Sequence, residues 1–96
     1  MSYRLKFLPS ALKEWHKIGS TIREQLKKKL QERLEAPEVP ADRLRGFPNH
    51  YKIKLRSAGY RLVYEVQQRE VCVIVITVGK RERSKVYIEA ARRKRH

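Results

Sequence analysis

Tyr51-Lys52-Ile53-Lys54-Leu55-Arg56-Ser57-Ala58-Gly59-Tyr60-Arg61-Leu62-Val63-Tyr64 alternates apolar and basic side chains up to a glycine and then resumes. A period of two marks a strand with one buried face. Ala58-Gly59 marks a reversal, so the stretch predicts a β-hairpin. Tyr51, Ile53 and Leu55 fall on one side, and Lys52, Lys54 and Arg56 on the other. A two-residue turn at Ala58-Gly59 sets Arg56 opposite Arg61 and gathers the apolar residues of both strands on the far side. A one-residue slip would scramble that sorting. Four cations with no acid among them repel one another unless a polyanion covers them, and a nucleic-acid backbone is the natural candidate.

Composition points the same way. Ninety-six residues allow one modest core, so a single domain spanning 1–96 is expected. A hydrophobic content of 41% supports a folded chain, while 24 Lys and Arg against 10 Asp and Glu leave a formal net charge of +14. That surplus implies an acidic partner: RNA, DNA, an acidic protein or an anionic membrane. The membrane is the weakest of these, because no apolar run approaches the ~20 residues of a spanning helix and none is flanked like a signal peptide. Cys72 is the sole cysteine, which excludes a disulfide framework and a zinc motif. Within Val71-Cys72-Val73-Ile74-Val75-Ile76 it reads as a small buried apolar side chain, and the expected compartment is the cytoplasm.

Working outward from the hairpin, Tyr3, Leu5 and Phe7 alternate as a short first strand. Pro9 and Ser10 open a helix with Ala11, Leu12, Trp15 and Ile18 at helical spacing, and Gly19 breaks it. Thr21 with Glu24 fits a capping box for a second helix striped by Ile22, Leu26, Leu30 and Leu34. Pro37 and Pro40 end that helix, and residues 36–48 form a loop. Strands are expected at about 50–56, 60–66 and 70–78, the last apolar nearly throughout and therefore central and covered on both faces. Gly79 starts a loop, Lys80-Arg81-Glu82-Arg83, and a final segment runs from Ser84 to about Arg93. The order predicts an α+β fold: an N-terminal strand, a helical hairpin packed on a mainly antiparallel sheet of about four strands, and a short C-terminal helix. Trp15 and the leucine stripe belong to the core. The basic end, Arg92-Arg93-Lys94-Arg95-His96, is expected to be solvated, with an RNA contact as the alternative.

Clustered carboxylates suited to a metal nuclease are missing, so no metal or other cofactor is expected. His16 falls on the outer side of the first helix, and His96 in the basic end; His50 lies nearer the basic strand without an evident acid–base partner. What remains are cations and a phenol: Lys52, Lys54, Arg56 and Arg61 on the hairpin, Lys80, Arg81 and Arg83 beyond the central strand, and Tyr87. Unperturbed Lys and Tyr titrate near ~10, and nearby positive charge lowers both toward a usable range. Arginine clamps a phosphate whose negative charge is growing. RNA suits such a face, because its own 2′-hydroxyl can attack the phosphate. Pattern alone leaves two readings, a face that grips phosphates and one that also cleaves; gripping is the simpler.

Leu12-Lys13-Glu14-Trp15, Gly19-Ser20-Thr21, Arg23-Glu24-Gln25-Leu26-Lys27-Lys28-Lys29-Leu30, Leu44-Arg45-Gly46, the hairpin itself and Val78-Gly79-Lys80-Arg81-Glu82-Arg83-Ser84 together resemble the RelE toxins of bacterial type II toxin–antitoxin systems. The resemblance runs from about residue 11 to residue 91. It implies a ribosome-dependent endoribonuclease that cuts messenger RNA in the ribosomal A site, inhibiting translation. The 2′-hydroxyl attacks, leaving a 2′,3′-cyclic phosphate upstream and a 5′-hydroxyl downstream. The family's active positions fall on Lys52, Lys54, Arg61, Arg81 and Tyr87. Tyr87 is then the general base, with Lys54 as the alternative or sharer. Arg81 stabilises or protonates the leaving oxygen, and Lys52, Lys54 and Arg61 clamp the phosphate. Arg45, Arg56, Lys80 and Arg83 are RNA contacts. The resemblance also implies a RelB-like antitoxin whose acidic segment wraps the toxin and displaces its last helix, with promoter DNA bound only through that complex.

Two rivals remain. A non-catalytic RNA- or ribosome-binding module would bind with steep salt dependence and leave RNA intact. A gyrase inhibitor similar to the ParE toxins would share the scaffold without this Lys, Arg and Tyr set.

Overall fold

The computed structural model describes residues 2–80 and 85–93. In chain order they form β1 (Arg4–Phe7), α1 (Pro9–Lys17), α2 (Ser20–Glu35), β2 (His50–Leu55), β3 (Tyr60–Gln67), β4 (Cys72–Lys80) and α3 (Lys85–Arg93). The strands make one sheet in the order β1-β4-β3-β2, with β1 parallel to β4 and the other pairings antiparallel. This is the expected α+β arrangement. No described helix is long and apolar enough to cross a membrane.

Pro9 occupies the first turn of α1, where its missing N–H costs no helical bond. The expected capping box at Thr21 and Glu24 is absent. Helix α2 already begins at Ser20, with Gly19 as an N-cap lacking a side chain. The helical hairpin is tied from the other direction: the Arg23 guanidinium donates to the carbonyls of Trp15, His16 and Ile18 at 3.3–3.4 Å. Those are last-turn acceptors of α1 that would otherwise need water.

Leu26 and Leu30 are fully buried and pack α2 onto Ile53, Leu62, Tyr64 and Val75, while Phe7 and Trp15 meet at 5.3 Å beside them. The opposite face of the sheet carries a smaller cluster, in which Val63 and Ile76 meet Val86 and Ala90 of α3. Strand β4 is therefore interior and covered on both sides, as its continuous apolar run predicts. It extends further than expected: Gly79 and Lys80 are still paired, opposite Arg61 and Tyr60.

The β2–β3 connection corrects the expected register. Leu55 faces Tyr60, Lys54 faces Arg61, and residues 56–58 form a 3-10 turn closed by Gly59 at φ 69°. The left-handed Gly59 lets a longer loop reverse the chain. The shift from the predicted Arg56–Arg61 pairing is two residues. An even shift keeps every side chain on its face.

Candidate active site

Lys52, Lys54 and Arg61 project from the sheet face opposite the helical hairpin. Lys54 and Arg61 are cross-strand partners, and Lys52 stands two residues along the same strand. With Arg56 at the turn, they put like charges at the spacing of neighbouring sheet side chains. The Lys54 ammonium is accordingly held below its ordinary value, first by Lys52, then by partial desolvation, Arg61 and Arg56. A cleft of about 290 Å³ opens at this end, lined by Lys54, Leu55, Arg56, Gly59, Tyr60 and Arg61.

Helix α3 brings the phenol to the same place. Val86 and Ala90 bury against the sheet, which turns Tyr87 toward β3. The Arg61 Nη1 donates to the Tyr87 hydroxyl oxygen at 2.7 Å, and its guanidinium carbon lies 5.5 Å from the ring centroid. Four of the five residues expected to be catalytic are thus described, and Tyr87 joins them through Arg61. Arg81 lies outside the described residues, as do Arg83 and Lys94, Arg95 and His96. Lys80 is exposed at the end of β4 beside Tyr60. Arg45 stands apart, in a groove of about 450 Å³ formed with Arg43, Leu44, Gly46, Phe47 and Pro48.

His50 is buried, with Nδ1 donating to the Pro48 carbonyl at 2.8 Å and its ring edge-on to Phe47 at 5.7 Å. A carbonyl only accepts, so that bond requires a proton on Nδ1. Its role here is to fasten the loop before β2.

One supporting residue went unnoticed in the sequence. Arg33 of α2 donates to the Lys52 carbonyl at 3.2 Å and the Tyr64 hydroxyl at 2.9 Å, and pairs with Asp42. Tyr64 in turn donates to the Pro37 carbonyl at 2.6 Å. Burial pushes the Tyr64 phenol above its ordinary value, against the lowering effect of Arg33. Arg33 thereby anchors the edge strand at Lys52, one of the two lysines that repel each other on the opposite face. A signal was present: position 33 lies seven residues after Leu26 and three after Leu30, on the helix side that faces the sheet.

Residues 5–85 match the family described as "ParE toxin of type II toxin-antitoxin system, parDE". Within that class the chain is 64% identical over 93 residues to the mRNA interferase toxin RelE of Escherichia coli K12, covering 97% of this chain and 98% of that protein. A double arginine-to-alanine mutant of E. coli RelE in the free state superposes with a TM-score of 0.90 at 62% identity, covering 97% and 98% of the two chains. The toxin in the intact E. coli RelBE toxin–antitoxin complex gives a TM-score of 0.83 at 63% identity, covering 85% of this chain and 100% of that one. This chain belongs to the RelE family of toxins.

Proposed function

We propose that this protein is an endoribonuclease toxin that cuts messenger RNA in the ribosomal A site and so inhibits translation. The observation that carries this reading is the hydrogen bond from Arg61 to Tyr87, which supports a single constellation of cations and phenol on one face. Its relatives' name, mRNA interferase, gives the same activity.

The substrate supplies its own nucleophile. A base removes the 2′-hydroxyl proton, the 2′-oxygen bonds to the adjacent phosphorus, and the bond to the 5′-oxygen breaks. The products are a 2′,3′-cyclic phosphate and a 5′-hydroxyl. Lys54 and Tyr87 are the candidates for the base; crowding by Lys52 makes the neutral Lys54 amine easier to reach. Lys52 and Arg61 offset the charge that grows on the phosphoryl oxygens. Arg81 is assigned to the leaving oxygen. With bases this weak, most of the rate comes from alignment, which gives the ribosome its part: it presents the message in an attackable geometry.

The cognate partner is a RelB-like antitoxin whose acidic segment neutralises the basic face, and promoter DNA is engaged only through that complex. The compartment is the cytoplasm, where ribosomes and message meet.

Mapping message ends on stalled ribosomes tests the proposal. Wild type should cut ribosome-bound message and barely touch free RNA. Arg61→Ala and Tyr87→Ala should each lower the rate by roughly 10²–10⁴ while ribosome binding persists. Intact message, or cutting unaffected by both changes, would overturn it. The ParE match also permits a non-catalytic gyrase inhibitor, which would raise DNA-damage signalling without message cleavage.

A further inference from the structure

Helix α3 carries Tyr87, yet it has little of its own to hold it in place. It is nine residues long, too short to persist alone in water. Among its described side chains only Val86 and Ala90 are buried. Besides the Arg61 bond to Tyr87, its polar anchor sits at Arg93, part of a basic stretch whose sequence suggests a solvated end.

Arg93 is paired with protein groups instead of being left to solvent. Its Nη1 donates to Glu14 Oε1 and to the Ile76 carbonyl, each at 2.9 Å, and its Nη2 reaches Glu14 Oε2 at 3.3 Å. Glu89, one turn earlier on α3, pairs with the same Nη2 at 3.0 Å. Glu14 belongs to α1, on the far side of the chain in sequence. Its Oε1 also accepts from the Thr77 hydroxyl at 3.0 Å and the Val78 N–H at 3.2 Å. Those two strand residues follow the irregularity where Tyr64 pairs with Val75 but Val63 pairs with Thr77. A bulge there leaves ladder groups in need of partners, and the carboxylate supplies one. Side-chain exposure of 18% for Arg93 and 31% for Glu14 keeps the pair partly shielded from water.

We propose that Glu14 is a positioning residue for cleavage: through Arg93 it holds α3 against β4 and keeps Tyr87 at Arg61. The inference rests on the proposed function for its catalytic consequence, and on the contacts alone for the latch. Neither Glu14 nor Arg93 touches the cleft. The latch acts by restraining a helix that would otherwise swing or fray away from the sheet and take the phenol with it.

The test uses Glu14→Gln, whose amide oxygen can still accept from Thr77 and Val78 while the ionic bond to Arg93 is lost. Hydrogen exchange should quicken in α3 and stay unchanged in β3 and β4. On ribosome-bound message, kcat should fall roughly tenfold with KM unchanged, the pattern of a misplaced group rather than a lost binding contact. Arg93→Lys, which keeps the charge, should retain more activity than Arg93→Ala. In a Tyr87→Phe background, Glu14→Gln should add little further loss, because it acts through Tyr87. An unchanged kcat, or an equal loss with and without the Tyr87 hydroxyl, would overturn the positioning role. Unchanged α3 exchange would overturn the latch itself. A wild type that cuts nothing would overturn the proposed function instead.

Discussion

The two faces of the sheet solve opposite problems. The face under α1 and α2 is dry: Leu26, Leu30, Ile53, Leu62 and Tyr64 bury one another, and the cationic Arg33 at its margin is satisfied by Asp42, Tyr64 and the Lys52 carbonyl. The other face leaves Lys52, Lys54 and Arg61 side by side and closes where α3, Leu8, Leu44 and Phe47 pack on Val63 and Ile76. Each face pushes one group toward its neutral form, by a different cause. Burial does so for Tyr64, and neighbouring charge does so for Lys54. The lesson is that one sheet can place its stability on one side and its unfavourable charge on the other.

That division breaks if both faces respond alike to substitution. Leu30→Ala should cost about 2–5 kcal/mol in denaturant unfolding, the range for a fully buried leucine, whereas Lys52→Met should leave stability equal or higher. Arg33→Ala comes next, at about 2–3 kcal/mol, reduced from a fully buried pair by its partial exposure. It should also slow cleavage, because β2 is an edge strand and Lys52 loses its backbone anchor. Tyr64→Phe, which removes the hydroxyl but keeps the ring, should cost less.

A smaller effect calibrates the scale away from either face. Val71, between β3 and β4, has φ 54°, a left-handed conformation that a β-branched residue adopts only under strain. Val71→Gly should raise stability by about 0.5–1 kcal/mol after glycine's extra chain entropy is deducted, with cleavage unchanged.

The smallest effects are titrations, and their signs sharpen the contrast. Lys54 titrates lower folded than unfolded, so the folded chain binds fewer protons between the two values. Its contribution to stability therefore rises as pH climbs from the folded value toward the ordinary lysine range. Tyr64 titrates higher folded than unfolded, so its contribution is full below the ordinary tyrosine range and is lost as pH rises from there to the folded value. Lys54→Met should remove the rise, and Tyr64→Phe the fall, in alkaline unfolding curves. Lys52→Met should move the Lys54 resonance back toward ordinary lysine behaviour more than substitution of Arg61 or Arg56 does, read by NMR.

Alternation made the faces of the hairpin legible before any coordinates, because a period of two survives an error of two residues in register. The turn itself was not legible: Arg56–Ala58 coils as a 3-10 turn and moves Lys54, not Arg56, opposite Arg61. Local signals also misled at Thr21 and Glu24, where the N-cap lies two residues earlier, at Gly19, and Arg23 serves the neighbouring helix. Arg33 and Glu14 were missed for a common reason. Both are charged residues set among apolar positions of their helices, and such residues need a buried partner that only the tertiary fold supplies. For Arg93 the partner lies 79 positions away, beyond any local pattern. Lys52, Lys54 and Arg61 were legible from alternation and Tyr87 as the phenol beyond the basic loop, while the family resemblance supplied their roles; their convergence required α3 to fold back over β3.

The parallel pairing of β1 with β4 carries a consequence for synthesis. The first strand has no sheet partner until Cys72–Val75 exists, a separation of 68 residues at its start. Long-range pairing of this kind slows folding. A nascent chain therefore emerges with its opening segment waiting, and its cutting face unfinished, while the ribosome that makes it is still at work.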